Sequence, residues 1–130
     1  MTIEYIESRN TTMIGSRALG VHTEKSDTDY VILLKDLPIL LLPELINVGR
    51  YFQSIPPEGR NIRIIRRLVT DCGRKVDLIV VDHMVDYQTI VNAAKDLLEV
   101  PRYMLESKYY RVAMWNTALQ HHGFTTNSLF

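Results

Sequence analysis

The sequence predicts an α/β domain of the α+β kind, built on a sheet of about four to five strands, and three observations carry that expectation. Short runs rich in β-branched and aliphatic residues recur at Thr11–Ile14, Asp29–Leu34, Ile62–Thr70 and Lys75–Val81. The last two runs are separated only by Asp71-Cys72-Gly73-Arg74, a turn that joins them as an antiparallel hairpin. Helical periodicity then takes over to near the end of the chain.

Taken in order, Ile3–Ile6 fits either a strand or a short helical turn. Thr11–Ile14 is β-rich and stops at Gly15, which marks strand one. Arg17–Leu19 suits a short helical turn and Gly20–Ser26 a loop, with Ser26 or Asp27 placed to restrain it through bonds to nearby amides. Asp29–Leu34 is apolar on both faces after its first carboxylate, the pattern of a strand inside a sheet. Pro43–Gln53 reads as a helix with Pro43 in its first turn and Leu45, Ile46, Val48, Tyr51 and Phe52 apolar. Ser54–Gly59, with two prolines, is a breaker. After the hairpin, Val85–Val100 reads as a helix with Ile90, Val91, Ala94, Leu97 and Leu98 inward. A last helix runs from Pro101 to before Gly123, with Met104, Leu105, Val112, Trp115 and Leu119 as its apolar side. Thr125–Phe130 is a polar tail.

With 130 residues, residues 1–130 are expected to form a single domain. Apolar residues make up 46% and charged residues 23%, an ordinary globular composition that excludes a disordered chain. Lys+Arg and Asp+Glu both total 15, so no global charge favours long nucleic acid. The single cysteine, Cys72, excludes an internal disulfide framework and fits a reducing compartment. Met1–Glu7 carries acids and no apolar core of a signal peptide. Leu37–Leu42, the longest apolar stretch, is interrupted by Pro38 and far too short to span a bilayer. The expected location is the cytoplasm, away from membranes.

The chemistry concentrates in residues 15–29. Gly15-Ser16 follows strand one, and ten residues on, Ser26-Asp27-Thr28-Asp29 opens strand two. Small residues can bring backbone N–H groups against a phosphate. In a strand, side chains at i and i+2 share a face about 6–7 Å apart, so Asp27 and Asp29 converge on one side. Hard cations such as Mg²⁺ favour such carboxylate oxygens. A third carboxylate, Asp77, stands in the apolar run Val76–Val81, on the face of Ile79 and Val81. A buried, unpaired carboxylate is costly, so Asp77 needs an arginine such as Arg66 or Arg67, a metal or a backbone amide.

This arrangement resembles the nucleotidyltransferase superfamily of the DNA polymerase β-like type. The likeness covers about residues 11–82, with the helical part, about 84–123, bearing no motif. Gly15-Ser16-Arg17-Ala18, with Gly20, Thr23 and Ser26-Asp27-x-Asp29, is most similar to small bacterial and phage-encoded members associated with RNA repair, and to minimal members that act as antitoxins. The resemblance implies a mixed sheet with helices mainly on one face. It implies an enzyme of the EC 2.7.7 type that moves a nucleoside monophosphate from an NTP such as ATP to a hydroxyl of an RNA, a protein or a small molecule. Gly15 and Ser16 would hold the β- and γ-phosphates. Asp27 and Asp29 would bind two Mg²⁺ or Mn²⁺ ions, and Asp77 the catalytic ion while helping to deprotonate the acceptor. A full helix ahead of strand one and a separate acceptor domain are the features of the pattern not seen here. The alternative is a non-catalytic or antitoxin-like protein on the same fold that neutralises a protein partner by contact. If phage-encoded, the chain would work in the host cytoplasm.

Other residues carry less. Arg17 is placed to reach triphosphate oxygens, and Ser26 to contact nucleotide from the loop; Lys25 has the weaker case. Arg60, Arg63, Arg66, Arg67, Arg74 and Lys75 form a basic cluster on the hairpin, but strict alternation would send Arg66 and Arg67 to opposite faces. A charge-protected edge explains that cluster better than an RNA surface. His22 is a loop histidine. His121-His122, with no Cys or Asp beside them in sequence, make a poor zinc motif. Trp115, Tyr109 and Tyr110 fit core or interface better than base stacking, and the C-terminal helices are the candidate face for a homo-oligomer or a partner protein.

Overall fold

The computed structural model describes residue 6 and residues 11–38, 41–54, 62–70 and 72–124, with residues 50–54 in backbone only. The readings of Ile3–Ile6 ahead of Ile6, of the breaker after Ser54, of Arg60, of Asp71 and of the tail from Thr125 lie outside the described residues.

Strand β1 (Thr11–Ile14) runs directly into a short helix, α1 (Gly15–Leu19). A loop leads to β2 (Thr28–Leu33), closed by a 3-10 turn at Leu34–Asp36. Then come α2 (Leu41–Val48), β3 (Arg50–Ser54), β4 (Ile62–Val69) and β5 (Lys75–Val81). Three helices complete the order: α3 (Met84–Leu97), α4 (Arg102–Leu105) and α5 (Lys108–His121). The strands form one mixed sheet in the order β1-β2-β5-β4-β3. Only β2 and β5 pair in parallel; the other three pairings are antiparallel. The expected mixed sheet of four to five strands is therefore present, with β2 interior as its apolar pattern demands.

Strand β5 is the axis. Val76 through Val81 are all buried, as they must be in a strand covered on both faces. Odd-numbered Ile79 and Val81 join Val31, Leu33, Ile62 and Ile64 under α3 and α5. Even-numbered Leu78 and Val80 join Tyr30, Ile32, Ile65 and Leu68 under α2, with Ile6 and Leu37. Most helical residues thus cover one face. No helix among the described residues is long and apolar enough to cross a membrane.

Two helices differ from the sequence expectation. The stretch expected as one helix over Pro43–Gln53 is helix only to Val48 and becomes strand β3, which pairs with β4. Gly49 is the reason. A Cβ there would press on Ile65 and on the carbonyls of Leu45 and Arg66, so the chain passes closer to β4 than a helix could. Its N–H still closes the last turn on the Leu45 carbonyl at 2.9 Å. The last helix is also interrupted: Ser107 is extended, with ψ 123°, and sits at the N-cap position of a new helix starting at Lys108 without a side-chain capping bond. The Arg111 guanidinium donates to the Leu105 carbonyl at 2.9 Å, satisfying an acceptor near that break. Farther along, His122 Nε2 lies 2.6 Å from Asp96 Oδ2, so the histidine pair meets an aspartate that sequence proximity did not show.

Because Gly49 has no room for a side chain, Gly49→Ala is expected to destabilise the fold by about 1–3 kcal/mol. The check is the urea midpoint, which should fall without a change in slope.

Candidate active site

Parallel pairing of β2 with β5 sets Asp29 directly opposite Asp77, and Thr28 opposite Val76. Adjacent strands lie about 4.8 Å apart, so two carboxylates stand side by side on the α3–α5 face of the sheet. Asp27, at the entry to β2, is the third. All three border a cavity of about 340 Å³, large enough for a ligand of nucleotide size. The three carboxylates expected to act together thus line one cavity.

Gly15 follows Ile14, the residue of β1 opposite Asp29 in the ladder, and so comes up against the Asp29 side chain. Its φ of +79° and its contact with the Asp29 carboxylate, where any Cβ would collide, leave glycine as the fitting residue. Ser16, buried, follows it into the cavity wall. The loop after α1 is braced from inside: Thr23 N–H donates to Ser26 Oγ at 2.9 Å, and the Arg17 guanidinium donates to the Ser26 carbonyl at 3.0 and 3.2 Å. From outside, Arg102 of α4 donates to the Gly20 carbonyl at 2.9 Å. Ser26 and Lys25 line the cavity, whereas Arg17 is absent from its lining. Where it stands, Arg17 shapes the loop.

The electrostatics are tense. Burial, then the neighbouring Asp77 and Asp27 carboxylates, push Asp29 up from 3.8 to about 7, against the pull of Arg66 and Arg111. Asp77 is also pushed up, chiefly by burial, while the Arg67 backbone N–H, 3.0 Å from its Oδ1, draws it back. A backbone amide, one of the partners expected for Asp77, is hydrogen-bonded to it, and the Arg66 and Arg67 charges draw its pKa down further. Among the described residues, no three His, Cys, Asp or Glu side chains stand close enough together to hold a metal ion as they are placed. The donor set nonetheless suits a hard divalent cation: oxygen ligands only, carrying negative charge that burial makes costly.

Lys108 and Arg111 were not expected in the site, and Arg66, Val112 and Trp115 were expected only in other roles. Lys108, Arg111, Val112 and Trp115 of α5 line the cavity, as does Arg66 of β4. Lys108, Arg111, Val112 and Trp115 follow i, i+3, i+4, i+7 spacing, one helical stripe of mixed character. That spacing was the available signal; reading the helix for apolar residues alone hid its cations. Trp115 is buried in the core as expected, but Tyr109 and Tyr110 are 78% and 53% exposed.

No family model matches this sequence, and no curated protein matches it. Among solved structures, the chain is similar to a Cid1 poly(U) polymerase mutant bound to MgATP, at 13% identity, a TM-score of 0.43, and coverage of 77% of this chain and 33% of that one. It is also similar to a cytoplasmic RNA terminal U-transferase (17% identity, TM-score 0.35, 71% of this chain and 31% of that one). A MgGTP-bound Cid1 structure matches at 13% identity and a TM-score of 0.35, over 79% of this chain and 37% of that one. The chain spans about a third of the length of the structures it matches.

A carboxylate raised from 3.8 to about 7 stabilises the fold in its neutral form. That stability is complete below the ordinary carboxylate value and is gone above about pH 7. In chelator-treated protein, the Tm should therefore fall between pH 5 and pH 8, and Asp29→Asn should flatten the decline. A wild-type Tm that rises over that interval and falls in the variant would contradict the placement.

Proposed function

We propose that this chain is a nucleotidyltransferase that holds a nucleoside triphosphate in the cavity between Gly15-Ser16 and Asp27, Asp29 and Asp77. The observation that carries the reading is the pairing of Asp29 of β2 with Asp77 of β5, with Asp27 just before β2 lining the same cavity and the Gly15 turn packed against Asp29. Lys25, Arg66, Lys108 and Arg111 border the same cavity. A site with both signs of charge matches a polyphosphate that arrives with a divalent cation better than it matches a simple anion.

Asp27, Asp29 and Asp77 would hold Mg²⁺ or Mn²⁺, which when bound offsets charge on the carboxylates and phosphates and favours attack at phosphorus. Ser16 and the backbone of the Gly15 turn contact the outer phosphates, and Lys108 and Arg111 neutralise them from α5. An acceptor hydroxyl oxygen forms a bond to the α-phosphorus. The bond from that phosphorus to the bridging oxygen breaks, and pyrophosphate leaves with the electron pair. The hydroxyl proton passes to Asp77, whose burial and nearby Asp27 carboxylate raise its affinity for a proton. Arg17 and Ser26 keep the loop closed over the nucleotide, Arg17 from behind through the Ser26 carbonyl. The acceptor is a hydroxyl of an RNA, a protein or a small molecule.

Incubation with each α-³²P-labelled NTP and Mg²⁺ or Mn²⁺, in cell extract, should move label into an RNA, protein or small-molecule product. Asp77→Asn should slow that transfer by about 100-fold or more. Undiminished labelling by Asp77→Asn, or by Asp29→Ala, would sink the reading. Arg111→Ala should act differently and raise KM for the triphosphate about tenfold, the effect of losing a charged hydrogen bond.

A further inference from the structure

Strand β4 departs from regular pairing at one place, and that place faces Asp77. Ile65 pairs with Leu78 and Leu68 with Val76, so Arg66 and Arg67 together oppose the single residue Asp77. Such a surplus of one residue is a β-bulge. Arg67 has φ +61°, the only non-glycine residue with positive φ among the described residues. Its side chain is exposed, while Arg66 lines the cavity.

In a regular ladder the amides lie in the plane of the sheet and address the partner backbone. Side chains stand roughly perpendicular to that plane. A ladder amide is thus poorly aimed at a carboxylate on the sheet face. The extra residue of a bulge is left out of the ladder, and its N–H is released. Here that N–H donates to Asp77 Oδ1 at 3.0 Å. A backbone donor has no rotamers to search, so it fixes the carboxylate more firmly than a surface arginine side chain would.

We infer that the bulge is a positioning device, in which Arg67 acts through its backbone amide to hold the Asp77 carboxylate toward the cavity beside Asp29. Oδ1 is engaged by the amide, and the Asp77 side chain lines the cavity. The inference rests on Asp77 being a working carboxylate in the transfer proposed above, and it makes Arg67 a positioning residue whose side chain is dispensable.

Two substitutions separate backbone from side chain. Arg67→Gly keeps the N–H and accepts positive φ, whereas Arg67→Pro loses both. In the labelling assay, Arg67→Gly should keep the wild-type kcat. Arg67→Pro should lose about 10- to 100-fold in kcat with KM for the triphosphate unmoved, the effect of removing a hydrogen-bond partner from a metal-binding carboxylate. Equal kcat in Arg67→Pro and wild type overturns the inference, as does an equal loss in both variants. Because proline can disturb the strand, amide hydrogen exchange gives a second measure that needs no activity. The Arg67 amide should be protected in the wild type and exposed in Asp77→Ala, with the amides of Ile65 and Leu68 unchanged. An unprotected Arg67 amide in the wild type overturns the inference. A wild-type chain that transfers no label refutes the proposed reaction, while exchange still decides whether the bulge holds Asp77.

Discussion

Everything about the cavity depends on the register of one parallel pairing. Strands β2 and β5 align Asp29 with Asp77, and the residues that follow each aspartate are buried partners of one another for four further steps. A slip of one residue would turn Asp77 to the opposite face and break both apolar layers. The packing that secures the core therefore also forces two like charges together. Neither aspartate would choose that neighbour, and the cohesion of the layers under α3, α5 and α2 keeps them there.

Irregular backbone gathers around this point. Gly15 takes a left-handed conformation where β1 meets α1, β4 bulges opposite Asp77, and the helical segment breaks before Lys108. Each departs from the locally favoured conformation, and a non-glycine residue at positive φ costs about 1–2 kcal/mol. Each also aims a group at the cavity or clears space for one. Away from it, β1, β2, β5 and most of α3 follow their patterns, while Leu98 at the end of α3, expected inward, is exposed. Local inconsistency of this kind is expected where a structure serves chemistry in addition to stability.

The same contrast explains what the sequence revealed. The strands stood out because β-branched runs and flanking turns act locally, and Asp77 stood out because a carboxylate among valines has no bland explanation. Strand β3 was hidden, since Tyr51 and Phe52 satisfy a helical pattern as readily as a strand, and only the close passage of Gly49 against Ile65 decides. The bulge did leave a trace. Ile65 and Leu68 are three apart yet share the α2 face, which a period of two forbids unless one residue is extra. Reading Arg66 and Arg67 by alternation alone missed it. Arg17 illustrates the reverse case: its position after the glycine turn pointed to phosphate, but the nearest acceptors prove to be carbonyls of its own loop.

The tie between the Arg111 guanidinium and the Leu105 carbonyl bears on how tightly the cavity can hold an anion. A free arginine surrenders about 2 kcal/mol of rotamer freedom when a ligand immobilises it. Arg111 has already surrendered part of that freedom during folding, when it satisfied the carbonyl. A later guest thus meets a cation whose ordering cost is partly met in advance, and the interrupted helix is what provides for it.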